Sequence, residues 1–317
     1  MTTVIRMYKA GDPSVLVAEE EDVGHPDTGQ VKLRHEAIGV NFVDTMFRSG
    51  VFKALLPFVT GVEAAGIVAE VGFGDIQFKV GDRVAYFFAP GAYAAERLID
   101  VAPLIRIPDD LATDIAAGFL TKGVTAWLAV RHLHKVKPGD TILVQGATGG
   151  VGSLVTRWAK ALGATVIAVG SAAKLGGMAR EVDHALASDE PNLGLRIRAV
   201  APQGVDVVYE FVGKATFPAS VIAVRDGGAI FTIGAASGSP EIDQAELNAR
   251  AVTVTHASAA AIIKGAMLNE ASTELFDRWR DGIFGDIELQ RYRLVDVAQA
   301  HRDIANRTIG PNPILVP

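Results

Sequence analysis

The amino-acid sequence predicts an α/β protein with two domains. The chain has 317 residues, a length more typical of two domains than of one. Short strand-like segments punctuated by glycine and proline occupy the first third of the chain, and apolar strands alternate with amphipathic helices after it. Hydrophobic residues form 49% of the composition, which is enough apolar material to build a core in each domain.

The segment from Thr141 to Lys174 gives the clearest structural signal. Thr141–Gln145 is an apolar run that follows a proline-glycine turn, which indicates a buried strand. Apolar residues then recur at helical spacing from Val151 to Leu162, and Gly163 is placed to end the helix. Thr165–Val169 is a second apolar run. This order of strand, helix and strand predicts a βαβ unit.

The turn between the first strand and the helix carries the spacing of a dinucleotide-binding fingerprint. Ala147, Gly149 and Gly152 occupy its three positions, with alanine in place of the first glycine, and Gly146 and Gly150 are additional glycines. Such residues allow a tight turn and a close approach of the backbone to a pyrophosphate, which the helix N-terminus attracts. A glycine turn without a ligand is the alternative interpretation. The predicted cofactor-binding residues are Ala147, Gly149, Gly150, Val151, Gly152, Gly170, Ser171 and Lys174.

The tip of the second strand, Gly170 to Lys174, favours NADPH over NADH. NAD enzymes place a carboxylate here to bind the ribose 2′-hydroxyl, whereas a 2′-phosphate requires hydroxyls and cations. No acid occurs between Ser171 and Glu181, and both Ser171 and Lys174 are suited to bind a phosphate. The alternative is that Ser171 caps the next helix and Lys174 is only solvated.

Composition and termini limit the remaining classes. A net charge of −6 without a run of lysine or arginine argues against nucleic acid as the main partner. The N-terminus lacks the pattern of a secretory signal, and no long uncharged apolar stretch is present, so we expect no membrane partner and a cytoplasmic protein. The sequence has no cysteine, which excludes disulfides, thiol nucleophiles and thiolate metal ligands.

The rest of the chain predicts further strands and helices. Helical turns are expected at Asn41–Ser49, and helices at Asp109–Val130 and Thr273–Arg280. Predicted strands are Val15–Glu20, Gln30–Val40, Ala65–Val71, Arg83–Phe88, Ala92–Val101, Asp183–Ala187, Val205–Val212, Ala229–Ile233, Val252–Thr255, Ile287–Leu294 and Ile314–Val316. The early strands suggest a small β-rich domain or barrel.

Several segments together resemble one known family. They read, in chain order, GVNFVDTMFRSG, GVEAAGIVAEVG, KVGDRVAY, TKGVTAW, GATGGVG, WAKALGATVI, GVDVVYEFVG and AQAHRDI. This set is similar to the zinc-free quinone oxidoreductase, or zeta-crystallin-like, branch of the medium-chain dehydrogenase/reductases. The resemblance implies a GroES-like β-barrel catalytic domain combined with a Rossmann doubly wound parallel sheet, NADPH in the cleft between them, and a homodimer. The implied limits are 1–120 for the first part of the catalytic domain, 121–257 for the NADPH-binding domain and 258–317 for the return to the catalytic domain.

The resemblance also bears on zinc. Zinc-dependent members of the superfamily bind their metal through cysteines and the histidine of a Gly-His-Glu motif, which here reads Gly61-Val62-Glu63. Without cysteine and with valine at the ligand position, no zinc site is expected. His132 and His134 are two residues apart, which on a helix directs them to different faces, so we predict surface residues.

Candidate site residues follow from the same resemblance. Asn41 and Thr125 are implied beside the nicotinamide and pyrophosphate, and are the candidate catalytic residues. Met46 and Phe52 take the place of pocket tyrosines, and His256 that of a pocket arginine, so the three are candidate substrate-pocket residues. Asn41 capping its helix, Thr125 bonding to its own helix, and Met46 and Phe52 in the core are the alternatives. Other departures from the family pattern are Ser188, the loop Gly234–Gly238, and Ile309-Gly310-Pro311.

The expected reaction is hydride transfer from NADPH to a quinone, which requires little more than orientation and exclusion of water. Reduction of α,β-unsaturated ketones or aldehydes is the alternative, and it additionally requires a donor at the carbonyl oxygen. The non-enzymatic alternatives are a nucleotide-binding structural protein of the crystallin type and an RNA-binding side activity. The acidic composition argues against the RNA-binding role.

Overall fold

The structure is a computed structural model that describes residues 1–306, 308, 310 and 312–317. Ile309 and Pro311 belong to the C-terminal segment that differs from the family pattern, and they lie outside the described residues. The chain forms two compact units. The first contains Met1–Thr121, Lys264–Ser272 and Asp286–Pro317, and the second contains Lys122–Ile263 and Thr273–Gly285. The segment Thr273–Gly285 therefore groups with the second unit, whereas the resemblance implied the catalytic domain for all of 258–317.

The strands are β1 (Thr2–Met7), β2 (Val17–Glu21), β3 (Gln30–Gly39), β4 (Phe58–Val59), β5 (Glu63–Val71), β6 (Arg83–Tyr86), β7 (Glu96–Asp100), β8 (Leu104–Arg106), β9 (Thr141–Gln145), β10 (Thr165–Gly170), β11 (His184–Ala187), β12 (Val205–Glu210), β13 (Val224–Thr232), β14 (Thr253–His256), β15 (Gln290–Arg293) and β16 (Pro313–Val316). The α-helices are α1 (Phe42–Ser49), α2 (Thr113–Trp127), α3 (Gly150–Ala161), α4 (Ala172–Met178), α5 (Leu193–Val200), α6 (Phe217–Ala223), α7 (Gln244–Ala249), α8 (Ala259–Ile262), α9 (Ala266–Arg280) and α10 (Val297–Ala305).

The first unit is built on two β-sheets. Its larger sheet has the order β15-β16-β3-β5-β6-β8, with β7 also paired to β3, and its smaller sheet has the order β2-β1-β4. The pairs are antiparallel except for β15 with β16. Alternate residues of β3, such as Val31 and Leu33, are fully buried, which places one face of this strand in the core. The β-rich first domain predicted from the sequence is thus confirmed.

The second unit contains a six-stranded, fully parallel sheet in the order β11-β10-β9-β12-β13-β14. Numbered within the unit, this order is the 3-2-1-4-5-6 arrangement of a doubly wound dinucleotide-binding fold. Ile142, Leu143 and Val144 of β9 are all fully buried, as expected of a central parallel strand covered on both faces. The predicted fold class is confirmed, and the order of strands reverses direction between β9 and β12.

Several predicted limits were wrong. The predicted strand Ala92–Val101 is a strand only at Glu96–Asp100, and the helix predicted from Asp109 begins at Thr113 and continues beyond Trp127 as the π-helical segment Leu128–Leu133. Among the residues that the structure describes, three strands were not predicted, namely β1, β4 and β8. Within the described part of the chain, no helix has both the length and the hydropathy needed to cross a membrane.

Candidate functional site

The glycine loop of the second unit lies at the carboxyl end of β9, where the strand order reverses. Gly146 adopts a φ of +80°, a left-handed conformation that side chains other than glycine rarely tolerate. The N–H groups of Gly146 and Ala147 both donate to the carbonyl of Val169 at 2.9 Å, which ties the loop to β10. In doubly wound sheets, ligands bind at this reversal of strand order.

The start of α3 is packed against that loop without room for side chains. A Cβ on Gly152 would lie 2.2 Å from the carbonyl oxygen of Gly146, and one on Gly149 would lie 3.2 Å from the same atom. Gly149 is the N-terminal capping residue of α3, and the first N–H groups of a helix have no acceptor within the helix. The predicted fingerprint residues thus form a close-packed turn whose helix N-terminus suits a phosphate.

The tip of β10 lies beside the same loop. A Cβ on Gly170 would lie 2.6 Å from Cγ2 of Thr148, so a larger residue here would require the Thr148 side chain to move. Ser171 is the N-terminal capping residue of α4, but its side chain makes no capping hydrogen bond. Lys174 is exposed on the first turn of α4. The N–H of Ser188 donates to the carbonyl of Gly170 at 2.8 Å, which brings this predicted residue to the same strand tip.

A buried polar cluster that the sequence analysis missed lies at the carboxyl ends of β9 and β12. Glu210 ends β12 opposite Gln145 of β9, and both side chains are fully buried. The Glu210 carboxyl group accepts four hydrogen bonds of 2.8 to 3.0 Å, from the N–H groups of Val212 and Gly213 and the hydroxyls of Thr216 and Ser220. Burial raises the pKa of Glu210, and these hydrogen bonds oppose the rise only in part. The only sequence signal was a single acid in an apolar run.

In the first unit, Asn41 precedes α1 and is buried. Its side-chain Nδ2 donates to Oε2 of Glu63 at 2.8 Å, and Asn41 is also the N-terminal capping residue of α1, in a capping box with Asp44. Glu63 begins β5, is fully buried, and accepts on Oε1 the N–H of Thr121 at 2.5 Å. The main-chain N–H of Asn41 donates to Oδ2 of Asp44 at 2.8 Å. Two buried carboxylates therefore hold this candidate catalytic residue.

Asp44 belongs to a longer buried chain of polar groups. Tyr93 donates its hydroxyl proton to Oδ2 of Asp44 at 3.0 Å, and the Tyr93 oxygen lies 2.9 Å from Nε2 of His301. Burial and, to a lesser extent, the charge of Arg48 lower the pKa of His301 to about 3, so this imidazole is neutral at physiological pH. Because Tyr93 has only one proton to donate, Nε2 of His301 carries a hydrogen and donates to Tyr93.

The structure places the remaining candidates as follows. Met46 is half-buried on α1, and its carbonyl accepts the N–H of Phe52 at 3.1 Å. Phe52 is 42% exposed, which rules out the alternative that it is a core residue. Thr125 is half-buried on α2. His256 is exposed at the end of β14, two strands away from β12, and its Nδ1 lies 3.2 Å from the hydroxyl of Thr232. The sheet order therefore separates His256 from the glycine loop.

The Gly-Val-Glu segment is buried in the first unit. Gly61 has a φ of +87°, and a Cβ there would lie 2.3 Å from the ring of Tyr93. Val62 is fully buried and offers no metal ligand. Across the described residues, no three histidine, aspartate or glutamate side chains form a group able to hold a metal ion. His132 is exposed as predicted, whereas His134 is partly buried, with Nε2 2.9 Å from Oδ2 of Asp140.

Comparison with known families places the chain in a class of two-domain dehydrogenases. The alcohol dehydrogenase GroES-like domain family matches residues 27–109, and the zinc-binding dehydrogenase family matches residues 150–275. Together the two matches define an alcohol-dehydrogenase-like protein with a GroES-like unit and a nucleotide-binding unit.

Individual relatives cover the chain from end to end. A 2-haloacrylate reductase of a Burkholderia species is 35% identical, with 98% of both chains covered. Quinone oxidoreductase 1 of Escherichia coli K12 is 34% identical over the full length of both chains. The crystal structure of an Escherichia coli quinone oxidoreductase complexed with NADPH superimposes with a TM-score of 0.95 at 33% identity, covering 99% of this chain and all of the other. The chain belongs to the quinone oxidoreductase, or zeta-crystallin-like, branch of the medium-chain dehydrogenase/reductase superfamily.

Proposed function

We propose that the protein is an NADPH-dependent, zinc-independent reductase that transfers hydride to quinones. The observation that carries the proposal is the close-packed glycine loop at the strand-order reversal, beside a β10 tip without a carboxylate. The Escherichia coli relative of 33% identity that was solved with NADPH supports the choice of cofactor.

The loop residues fit a dinucleotide. A Cβ on Gly149, Gly152 or Gly170 would press against neighbouring atoms of the loop, so these glycines keep the turn tight, and α3 directs its N-terminus at the loop. We assign the pyrophosphate to Ala147 through Gly152, and the 2′-phosphate to Ser171 and Lys174. Asn41 and Thr125 are proposed to contact the nicotinamide and pyrophosphate. When bound, NADPH supplies the hydride, and the protein contributes orientation and exclusion of water.

The proposed acceptor is a large apolar quinone. The segment after α1 exposes four large apolar side chains, those of Val51, Phe52, Leu55 and Leu56. Such a concentration on one short segment is unusual for a surface exposed only to water. A reduced quinone is protonated readily by solvent, so its reduction does not depend on an acidic side chain.

An activated alkene is the second candidate acceptor. Its support is the 35% identical relative that is a 2-haloacrylate reductase. Alkene reduction requires a hydrogen-bond donor at the carbonyl oxygen, and neither Met46 nor Phe52 supplies one. This observation keeps the quinone as the preferred acceptor. A homodimer and a cytoplasmic location are further expectations that follow from the family resemblance.

A panel of acceptors tests the proposal. Purified protein is mixed with NADPH and with quinones of increasing size, an enone or a 2-haloacrylate, and NADPH oxidation is followed together with product analysis. We expect turnover with quinones and weaker turnover with alkenes. Faster reduction of alkenes would favour the second candidate. Tight NADPH binding without oxidation by any acceptor would contradict an enzyme and favour a nucleotide-binding structural role.

A further inference from the structure

Two loops of the second unit meet at the carboxyl edge of the parallel sheet. We call residues 211–213, which follow β12, the β12 turn, and residues 234–238, which follow β13, the β13 loop. A Cβ on Gly213 would lie 2.3 Å from the carbonyl oxygen of Gly238, and the same oxygen accepts the N–H of Lys214 at 2.9 Å. The two loops therefore touch along their main chains, without room for a side chain between them.

Ser237 bridges the two loops with its side chain. Its hydroxyl donates to the carbonyl of Val212 at 2.8 Å and accepts the N–H of Ala215 at 3.0 Å. The main-chain N–H of Ser237 donates to the same Val212 carbonyl at 2.7 Å. The hydroxyl thus uses both its donor and its acceptor capacity on the chain that follows β12.

The β12 turn is also held on two other sides. From inside the unit, Glu210 accepts the N–H groups of Val212 and Gly213 at 2.8 and 3.0 Å. Toward β9 the turn lies against the glycine loop, since a Cβ on Gly146 would be 3.1 Å from Cγ2 of Val212. Because Val212 is bound by Glu210, by Ser237 and by the glycine loop, its position depends on all three contacts.

The two halves of the sheet have different tasks in a doubly wound fold, because each half receives one mononucleotide of the dinucleotide. The tip of β10 is the position for the adenosine ribose, so β12 and β13 belong to the half for the nicotinamide nucleotide. We propose that Ser237 is a positioning residue that holds the β12 turn and the β13 loop together as one preordered surface for the nicotinamide nucleotide. The inference rests on the proposed function for the identity of the ligand.

The physical reason is the entropy of the loops. A binding surface that is ordered before the ligand arrives does not have to be ordered at the expense of binding free energy. Without the Ser237 hydroxyl, the β13 loop keeps its main-chain bond to Val212, but the N–H of Ala215 loses its acceptor. The loops then have more freedom to lose when the nicotinamide nucleotide binds. Ser237 acts through the loop main chain and not through contact with the reacting atoms.

Two ligands separate this role from a general structural one. NADPH occupies both halves of the sheet, whereas adenosine 2′,5′-bisphosphate carries the adenosine and the 2′-phosphate but lacks the nicotinamide nucleotide. For Ser237→Ala, titration calorimetry should show NADPH affinity reduced by about threefold to tenfold, the range expected for the loss of one or two neutral hydrogen bonds. The affinity for adenosine 2′,5′-bisphosphate should be unchanged.

The same loop region supplies a matched control. Ser239 is exposed just beyond the β13 loop, so Ser239→Ala removes the same hydroxyl from a neighbouring position. We expect this variant to bind both ligands like the wild type. Ser237→Thr keeps the hydroxyl and should bind NADPH within about twofold of the wild type.

Hydrogen exchange of the ligand-free protein provides a readout that needs neither cofactor nor activity. In Ser237→Ala, peptides that cover residues 211–216 and peptides that cover residues 234–238 should both exchange faster than in the wild type, because each loop is held by the other. Peptides of β9 and β10 should be unchanged. Faster exchange in residues 234–238 alone would overturn the proposal, because it would show that the two loops are not ordered together.

The binding experiment has three further outcomes. An equal loss of affinity for NADPH and for adenosine 2′,5′-bisphosphate would overturn the proposal, since it would indicate a general structural defect. Unchanged NADPH affinity in Ser237→Ala would overturn it as well. Failure of the wild type to bind NADPH would instead contradict the proposed function, and this inference would fall with it.

Discussion

At the level of single residues, the Glu210 carboxyl group combines full burial with four hydrogen-bond donors. Its donors hold the turn after β12 and the start of α6, next to the strand-order reversal. Because burial raises its pKa in the folded state, the protonated form stabilises the fold relative to the ionised form. This contribution is complete below the unfolded-state pKa and is lost as the pH rises through the folded-state pKa.

Glu210→Gln should therefore be tolerated at neutral pH and become relatively more stable as the pH rises. An amide oxygen accepts the three bonds made to Oε1, and the Ser220 hydroxyl can turn toward the carbonyl of Thr216, 3.3 Å away, and accept from the new NH₂. We expect the melting temperature of the variant minus that of the wild type to increase between pH 5 and pH 8, by about 1–3 °C. Glu241→Gln, which removes an exposed carboxylate, serves as the control. If this difference in melting temperature instead shrinks with rising pH, the ionised form of Glu210 stabilises the fold, which would contradict the prediction.

Lys174 is the residue on which the expected choice between NADPH and NADH depends most directly. The side chain is exposed, and an exposed ion pair contributes about 1 kcal/mol or less. Lys174→Ala should weaken NADPH binding by at most about fivefold and leave NADH binding unchanged. Fluorescence titration of both cofactors measures this, with the exposed Lys135→Ala as the control. Equal affinity of the wild type for the two cofactors would contradict the assignment of the β10 tip to a 2′-phosphate.

At the level of elements, the segment that follows α1 is distinguished by its exposed apolar side chains, of which Leu55 is 93% exposed. If a large quinone packs on this segment, Leu55→Ser removes contact area from the complex but not from the folded core. KM for bulky quinones should rise by about fivefold, corresponding to about 1 kcal/mol of lost apolar burial, while KM for small quinones and thermal stability stay unchanged.

The chain offers a close control for this experiment. Leu195 on α5 is 62% exposed, so Leu195→Ser makes the same chemical change on a different element. We expect no change in the kinetics of any quinone with this variant. Equal effects of Leu55→Ser on small and bulky quinones would mean that the segment does not contact the acceptor.

Elements were predictable from sequence where local pattern and tertiary environment agree. The βαβ unit is an example, since the predicted strand Thr141–Gln145 is β9 itself and the predicted helix differs from α3 by one residue at each end. β4 has only two residues, and its strand character depends on pairing with β1, which no local pattern reveals. The same limit applies to sites. The bond between Asn41 and Glu63 spans 22 positions and joins residues of different elements, so sequence spacing alone does not indicate it.

At the level of the whole molecule, the fold identifies the family more firmly than it identifies the reaction. The parallel sheet order and the full-length similarity to quinone oxidoreductases define the family, but one fold serves many reactions. Relatives at 34% and 35% identity are a quinone oxidoreductase and a 2-haloacrylate reductase, respectively. We propose that acceptor choice depends on local features such as Met46, Phe52 and the exposed segment after α1, and these are the features that the acceptor panel tests.

The family match over residues 150–275 is to a zinc-binding dehydrogenase. Whether this protein requires zinc must therefore be tested on the whole molecule. Protein zinc sites use cysteine, histidine or carboxylate ligands, commonly in sets of three or four. This chain has no cysteine, and Val62 at the expected histidine position contributes only methyl groups to the core. We expect less than stoichiometric zinc by elemental analysis and full NADPH-dependent turnover in the presence of a chelator. Val62→His should not create a zinc site, because one imidazole lacks partner ligands, and it should lower thermal stability by burying a polar ring. Stoichiometric zinc in the wild type, with chelator-sensitive activity that added zinc restores, would contradict this prediction.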